Sequence, residues 1–445
     1  MNKPIHPILT AQTSVDTSQS EEPELIPSLF ALPALDKAKR NLQSNSNARL
    51  IDRFFRQKYI DLFKALEGGH ITVIDPLGKT ILGDPNAKLH CTLTMFDLRS
   101  YTKVALGGSN GSAQAYIEGL WMVDNLSHLI RIFVSNRVIL EQMESGLASF
   151  AQLVLRAWHG IARRNTRSGS RKNIAAHYDL GNDFFQLFLD QRMMYSSALY
   201  AKGDTLDSAS DRKLQRICDT LQLSSDDHVI EIGSGWGGFA CYAASNSGCR
   251  VTTVTISQEQ YKQATALVLE QSLQDRVTVK LQDYRDIEGT YDKLVSIEMI
   301  EAIGHKYLDT YFRKLNHLLK PNGKALIQAI VIDDDQYQKA LKEVDYIKRY
   351  IFPGGFMPCY SVLSQVAGRN RLMLEDLHDM GLSYAKTLRD WRRRFYQQIE
   401  VVSQQGYDLA FQRMWEFYLC YCEGAFDERA ISVGQILFRK QANVR

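Results

Sequence analysis

Cysteine is sparse and irregularly placed in this chain: its 445 residues carry seven, at positions 91, 218, 241, 249, 359, 420 and 422. An odd number without patterned spacing excludes a disulfide framework and points to reduced thiols in the cytosol. No Cys-x-x-Cys pair is matched by a second, so a zinc site lacks its ligand set and no metal is expected. An excess of one charge is missing as well. Lys plus Arg number 53 against 50 for Asp plus Glu, a formal net charge of +3. That balance argues against nucleic acid as a partner, while leaving room for a local basic patch facing a membrane or an anionic substrate. Runs of about 18 or more apolar residues are absent, so no transmembrane helix is expected and any membrane contact is peripheral. The opening MNKPIHPILT has neither the charged flank, apolar run nor small-residue cleavage site of a secretory signal, and a cytoplasmic location is expected.

Enough apolar material is present for a sizeable core, with 45% hydrophobic and 23% charged residues. At roughly 150 residues per domain the length allows two or three domains. Residues 1–47, rich in Ser, Asn, Pro and Glu, bury too little to offset their ordering entropy and are expected to form a flexible tail. In 48–150, LIDRFFRQKYIDLFKAL (50–66) has helical spacing, and ITVIDPLGKTILG (71–83) reads as two strands about a Pro-Leu-Gly turn. LHCTLTMFD (89–97) reads as a third strand, with helices at 112–120 and between 124 and 145. We therefore expect a small α+β domain there. Residues 151–175 form a basic linker, in which Arg156, Arg163, Arg164, Arg167, Arg171 and Lys172 oppose Leu153, Leu155, Trp158 and Ile161. Such a helix suits an anionic bilayer surface, and equally suits a solvated linker packed on its own protein.

From residue 226 apolar, β-branched strands at 228–232, 249–254, 276–282, 292–297 and 324–332 alternate with helical stretches at 211–222, 258–273 and 305–319. That alternation predicts an α/β fold with a parallel sheet covered on both faces. Two further helical stretches are expected at 335–350 and 361–379. The first strand runs into Glu231-Ile-Gly-Ser-Gly-Trp-Gly-Gly238. Its glycines permit a tight turn and close backbone approach by a ligand, beside a helix N-terminus with unpaired N–H groups. Gly233, Gly235 and Gly238 satisfy a dinucleotide fingerprint, but no Asp or Glu occurs between Gly237 and Gln258 to bind a ribose. Hydride transfer is disfavoured. The acid two residues before the first glycine, with Asp283 after the third strand and Gln260 near the ribose, suits S-adenosylmethionine better.

Several blocks complete the picture: AHYDLGNDFF (176–185), MMYSSALY (193–200), EIGSGWGGFA (231–240), VTISQEQ (254–260), LQDYRD (281–286), SIEMIEAIGHKY (296–307), YIFPGG (350–355) and YLCYCEGAF (418–426). On them the chain resembles the cyclopropane fatty acid synthase family, S-adenosylmethionine-dependent enzymes that modify cis double bonds of acyl chains. The resemblance implies a Rossmann-like class I methyltransferase domain over 176–445, preceded by a small lipid-contacting α+β domain. It implies an unsaturated phospholipid substrate at the inner face of the cytoplasmic membrane and is compatible with a homodimer. Cofactor contacts are expected at Tyr195 and Ser196, at Gly233, Ser234 and Gly235, at Thr255, Ile256, Ser257 and Gln260, and at Asp283 and Tyr284.

The better-known bacterial members carry Cys, Gly and His where this chain has Ser197, Glu298 and Gln328. In them the Cys and His, with a Glu, help to cage a bicarbonate ion that acts as base. The chain keeps that Glu as Glu301 and also keeps Tyr384, so the expected bicarbonate cage is weakened while Glu298 adds a carboxylate three residues from Glu301. Ser197, Glu298, Glu301, Gln328 and Tyr384 are the expected catalytic set. Cys422, at the position of a cysteine long regarded as the active-site residue, joins them, with a packed core thiol as its other reading. His177 and Tyr178 are expected to close the pocket or cap the following helix. Tyr346, Tyr350, Phe352, Phe356 and Tyr360 are candidates to line an acyl tunnel. The product expected first is a cyclopropane, and the alternative is a methylene- or methyl-branched chain. A methyltransferase of small soluble substrates and a non-catalytic binding protein are the other classes.

Overall fold

The computed structural model describes residues 26–30, 49–139 and 180–442. The basic stretch 153–173, His177 and Tyr178 lie outside the described residues. After a helix at Leu50–Phe63, the chain forms β1 (Gly69–Asp75), β2 (Gly78–Gly83), β3 (Leu89–Met95) and β4 (Trp121–Val123), ordered β2-β1-β3-β4. β1 and β2 make the hairpin expected from Asp75-Pro-Leu-Gly78, with Asp75 opposite Gly78. The Asp75 carboxylate accepts from the Leu77 amide at 2.8 Å, the side-chain turn that favours Asp here. Ile71 and Val73 alternate inward with half-buried Thr72 and Ile74. Helices Arg99–Ile117 and Leu126–Ser135 cover the inner face. The first is longer than the 112–120 expected, and it breaks at Gly108, whose φ of 54° and ψ of −139° are not helical.

The second sheet has seven strands: β5 (His228–Ile232), β6 (Arg250–Thr255), β7 (Val277–Leu281), β8 (Tyr291–Ile297), β9 (Leu319–Ile332), β10 (Leu372–Asp379) and β11 (Ile431–Lys440), in the order β10-β11-β9-β8-β5-β6-β7. β5 to β9 pair in parallel, as their near-continuous apolar character predicts. β11 runs antiparallel to both of its neighbours. Here the sequence reading needs correction. The helix expected over 361–379 ends at Arg369, and Leu372–Asp379 is the edge strand β10. An edge strand pairs on one side only, so Met373 to Asp376 face solvent and give no alternating pattern. β11 was not among the strands expected. The stretch 335–350 also divides, into a helix at Asp334–Lys342 and a single wide turn at Ile347–Ile351.

One apolar cluster joins the small sheet to the flank of the second, whose own faces are packed by two further clusters. It passes from Ile71 and Leu129 through Phe417 and Trp415 to Phe184 and Trp391. Helix Leu409–Asp427 carries this continuity, lying against helix 126–135 on one side and helix Gly381–Gln397 on the other. Buried charge ties the same joint. Glu423 accepts from Ser127 Oγ at 3.0 Å, Arg389 Nε at 3.1 Å and Arg392 Nε at 3.0 Å. Burial opposes its ionisation, but Arg392 and Arg389 outweigh that and hold its carboxyl below the usual range.

The close approach of helices 409–427 and 126–135 depends on Gly424, where an added Cβ would lie 2.7 Å from Ile130 Cγ2. Gly424→Val is expected to lower the unfolding free energy by about 1–3 kcal/mol, read as a lower denaturant midpoint at unchanged slope. Gly368→Ala, in helix Tyr360–Arg369 with nothing within 4 Å of the added carbon, should be neutral or stabilise by up to about 1 kcal/mol. Equal losses from both would remove the packing explanation.

Candidate active site

Strand order reverses at β5: β6 and β7 lie to one side, β8 and β9 to the other. Ligands of open parallel sheets bind outside the carboxyl ends of the strands at such a switch point. Here the chain leaves β5 through Gly233, Gly235 and Gly237, with φ of 96°, 48° and 95°. All three lie where L side chains are strained, which is why the turn needs glycine. A cavity of about 720 Å³ opens over this turn. A Cβ on Gly235 would meet nothing within 4 Å, so this backbone faces open space. Helix Gly238–Ser247 begins beside it, presenting N–H groups that no preceding turn satisfies.

The cofactor candidates mostly converge on this wall. Tyr195, Ser196, Gly233, Ser234, Gly235, Thr255, Ile256, Gln260, Asp283 and Tyr284 all line the cavity. Ser257 does not. Its hydroxyl accepts from the Gln260 amide and caps helix Gln258–Glu270, so its role is to start the helix that carries Gln260. Gln260 is oriented by Thr255 Oγ1, which donates to its carbonyl at 2.8 Å. Asp283 reaches the cavity already paired with Arg285, whose NH2 group donates at 2.6 Å. Glu231, at the end of β5, also lines the cavity, with Thr253 Oγ1 donating to it at 2.6 Å. Burial pushes its carboxyl up to about 8. This set fits S-adenosylmethionine: a glycine turn open to a ligand, and a carboxyl group shielded from water whose ionised form a cationic ligand would favour.

Beside it stands the second cluster. Glu298 follows β8 with φ of 47°, the left-handed region that costs an L residue about 1 kcal/mol or more. Its carboxylate accepts from the Ser197 amide at 2.9 Å, Gln328 Nε2 at 2.8 Å and Tyr384 OH at 2.8 Å. Burial raises its pKa, opposed by these donors and by Lys213. Thus Ser197, Glu298, Gln328 and Tyr384 are brought together, but only Glu298 and Tyr384 reach the cavity wall. Ser197 and Gln328, also expected in the catalytic set, stand behind that wall and hold Glu298. The Ser197 hydroxyl donates to Ala198 O at 2.9 Å, leaving its backbone amide to hold Glu298. Gln328 is fully buried between Glu298 and Gln435, which donates to it at 3.1 Å.

Glu301 lines the same cavity. Its Oε1 accepts from the Ile330 amide at 2.6 Å, and its buried Oε2 has no hydrogen-bond partner among the described residues. Burial, with the neighbouring Glu298 adding to it, lifts its carboxyl to about 8. Cys422 borders the cavity, but burial pushes its thiol far up and disfavours a thiolate. Of the five aromatic candidates, Phe352 and Phe356 line the cavity. Tyr346 instead donates to Met414 O at 2.6 Å, Tyr350 to Gln114 and Tyr360 to Asp379. Lys213 was missed. It is completely buried, donates to Ser196 Oγ at 2.8 Å, and desolvation pulls it down to about 8. Its signal was available: it shares the apolar stripe of helix Leu206–Leu221 with Ala209 and Ile217, at four-residue spacing.

Comparison with known proteins gives the family and the fold. A profile of the family described as mycolic acid cyclopropane synthetase matches residues 165–436. A cyclopropane-fatty-acyl-phospholipid synthase of Escherichia coli is 37% identical over 348 residues, which cover 76% of this chain and 85% of that protein. A tuberculostearic acid methyltransferase of Mycobacterium tuberculosis is 33% identical over 342 residues, 75% of this chain and 79% of that one. Among solved structures, a cyclopropane synthase of M. tuberculosis is similar at a TM-score of 0.57 and 26% identity, covering 61% of this chain and 98% of its own. A mycolic acid cyclopropane synthase complexed with SAH and CTAB gives the same values. The second sheet therefore has the Rossmann-like α/β fold of class I S-adenosylmethionine-dependent methyltransferases.

Gly235→Val is expected to abolish cofactor binding, because a β-branched side chain is strained at φ of 48° and would project into the open space above the turn. Calorimetry should show no binding of S-adenosylmethionine while the far-ultraviolet circular dichroism remains native. Normal affinity would mean that the site is elsewhere.

Proposed function

The chain belongs to the mycolic acid cyclopropane synthetase family, and from that premise we propose that it transfers a methylene group from S-adenosylmethionine to the cis double bond of an unsaturated phospholipid acyl chain, forming a cyclopropane. The observation that carries the reading is the contact of two unlike surfaces in one cavity: the glycine turn with Glu231, and the carboxylates Glu298 and Glu301. When bound, S-adenosylmethionine supplies an electrophilic sulfonium methyl. The Gly233–Gly235 turn, Gln260 and Asp283 would hold it, with Glu231 facing its positive charge. An alkene is a poor nucleophile, so the walls must fix the chain in near-attack geometry. They must also keep water from the positive charge that develops on the chain. Phe352 and Phe356 contribute apolar walls, and Glu301 sets a carboxyl group beside that charge, whose growth favours its ionised form.

A proton must leave the newly attached methyl, and we assign it to Glu298. The donors that the family resemblance would give to a bicarbonate ion are here engaged with the Glu298 carboxylate. The residues present thus suit a built-in carboxylate better than a separate ion. A second reading, a methylene- or methyl-branched product, is favoured by the likeness to a protein named tuberculostearic acid methyltransferase. Both begin with the same methyl transfer, and a methyl branch requires an added reductant. Expression in a bacterium lacking its own synthase tests the two: lipids heavier by one CH2 (ring or methylene branch) or by one CH2 and two hydrogens (reduced methyl branch) establish alkylation, and upfield cyclopropyl methylene protons in the NMR spectrum separate the ring from a branch. Unchanged lipids would defeat both readings.

Glu298→Gln should reduce turnover by a factor of roughly 100 or more, the scale of a positioned general base, with little change in cofactor affinity. Glu301→Gln should also be damaging. Wild-type turnover should be insensitive to bicarbonate, and the combined Ser197→Cys, Glu298→Gly and Gln328→His variant should become dependent on it. Burial raises Glu298, and a base works only when deprotonated, so kcat/KM should fall as the pH drops through a pKa above the usual carboxylate range. A sharp loss of wild-type rate in carbonate-free buffer would transfer the proton to an ion.

We also propose peripheral contact with an anionic membrane surface, supported by the Arg-rich sequence 153–173 and by the lipid substrate. No described helix is long and apolar enough to cross a membrane. Co-sedimentation with anionic vesicles should weaken as salt screens the surface potential. Equal binding to neutral vesicles would remove the electrostatic part of this reading.

A further inference from the structure

Lys213 has no part in the chemistry assigned so far. It lies on helix Leu206–Leu221, is completely buried, and makes one hydrogen bond among the described residues, to Ser196 Oγ at 2.8 Å. Burial pulls it down to about 8, with Asp190 and Glu298 opposing the shift, so it stays largely charged at neutral pH. An ammonium has three donors, and a buried charge is costly unless it is well bonded. A position that only had to fill the apolar stripe would favour Leu or Met. The charge needs an explanation at the far end of its one bond.

Ser196 is that end. It borders the cavity and is itself buried. A serine hydroxyl has one hydrogen to give and two lone pairs. Lys213 occupies a lone pair, and among the described residues no acceptor takes the hydrogen, which leaves Ser196 a donor toward the cavity. The segment that carries it is held in place. Asp190 accepts from the amides of Arg192 at 2.8 Å and Met194 at 3.1 Å, and Met193 between them has a left-handed φ of 56°.

The strand ends show which part of a ligand Ser196 meets. The adjacent Ser197 amide holds Glu298 after β8, whereas Gln260 and Asp283 follow β6 and β7 on the other side of β5. The same segment lies against the start of helix 238–247, where a Cβ on Gly238 would come within 2.6 Å of Arg192 O and 2.7 Å of Met194 Sδ. With the adenosine toward Gln260 and Asp283, the amino-acid end of S-adenosylmethionine falls on the β8 side, near Ser196 and that helix N-terminus. This end bears the cofactor's one anionic group, a carboxylate. Glu231, Glu298 and Glu301 line the same cavity and suit the sulfonium, but ionised they would repel a carboxylate. The Arg285 fork does not compensate, because both oxygens of Asp283 already occupy it, at 2.8 and 2.6 Å.

We propose that Lys213 is a positioning residue for cofactor selection: it leaves the Ser196 hydroxyl hydrogen free to face the cavity and backs it with positive charge, so that the site favours a ligand carrying a carboxylate. The inference rests on the reading of the glycine turn as the S-adenosylmethionine site. It adds a source of selectivity that stands behind the wall and never touches the ligand.

Calorimetry on the full-length protein tests this without turnover, using S-adenosylmethionine and its decarboxylated analogue, which keeps the sulfonium and the amine. The wild type should bind S-adenosylmethionine about tenfold or more tighter than the analogue, the scale of a hydrogen bond to a charged group. Lys213→Met, an apolar chain of similar length, should weaken S-adenosylmethionine by about tenfold. The purely cationic analogue should bind as well as before or better, since a repelling charge has gone. A merely structural defect would weaken both ligands alike and would overturn the proposal. Ser196→Ala removes the donor itself and should narrow the ratio too, which decides the matter if Lys213→Met fails to fold. Equal wild-type affinity for the two ligands, or a ratio unchanged in either variant, would also overturn it while leaving the cofactor site standing. A wild type that binds no S-adenosylmethionine would defeat both.

Discussion

Three donors from three separate stretches of chain converge on the carboxylate of Glu298: the amide of Ser197, the side chain of Gln328 on β9 and the hydroxyl of Tyr384 on helix 381–397. Glu298 stands at the end of β8, so this one group fixes four segments relative to one another. Two costs oppose the arrangement. The left-handed backbone costs about 1 kcal/mol or more, and burying a carboxylate costs far more unless it is bonded. The donors offset the second cost and make the first tolerable. Taking the carboxylate away would leave three donors facing an emptied site, each worth about 1–3 kcal/mol if buried without a partner. The strain lies where backbone outliers tend to gather, at a site of chemistry.

Around that centre, charge is graded by burial. Glu231 and Glu301 are both pushed up to about 8, and Lys213 beneath Ser196 is pulled down to about 8. Glu231 and Glu301 stand on the cavity wall and Lys213 behind it, and a cation arriving in the cavity would favour the ionised form of both carboxyls. Binding of a sulfonium and readiness of a base are thus coupled by electrostatics alone. The Oε2 of Glu301, without a donor among the described residues, fits this account, because such an oxygen is available to charge that appears only during reaction.

The joint between the two sheets serves a different end. Glu423 with Arg389 and Arg392, and Glu416 with Tyr116 at 2.6 Å, lie where helix 409–427 meets the small unit. Buried ion pairs often add little net stability compared with apolar contacts, yet breaking one costs about 3–5 kcal/mol. They reward one seating of the helix over others. Since the same helix carries Tyr421 and Cys422 on the cavity wall, that seating also keeps this wall in register with the carboxylates.

Much of this could be read from the chain alone. The parallel strands β5 to β9, the hairpin at Asp75–Gly78 and the glycine turn after β5 are written in short-range signals: continuous apolar runs, a turn sequence, and glycines where φ must be positive. Most of the residues that the blocks single out, Glu298 and Glu301 among them, line one cavity. What was not legible depends on partners far away in sequence. β10 is a strand because β11 pairs with it, although its acidic residues carry no alternation. Ser257 caps a helix, and Ser197 offers its amide instead of its hydroxyl, because of where neighbouring groups lie. Residue type cannot report that Glu298 is left-handed and bonded to Ser197, 101 positions earlier in the chain. The sequence determined most of the elements, β10 and β11 apart, and which chemical groups are available, since those follow from local periodicity and side-chain identity. Only the tertiary structure decided which groups face the cavity and which stand behind them, since dihedral strain, burial and hydrogen-bond partners are properties of packing.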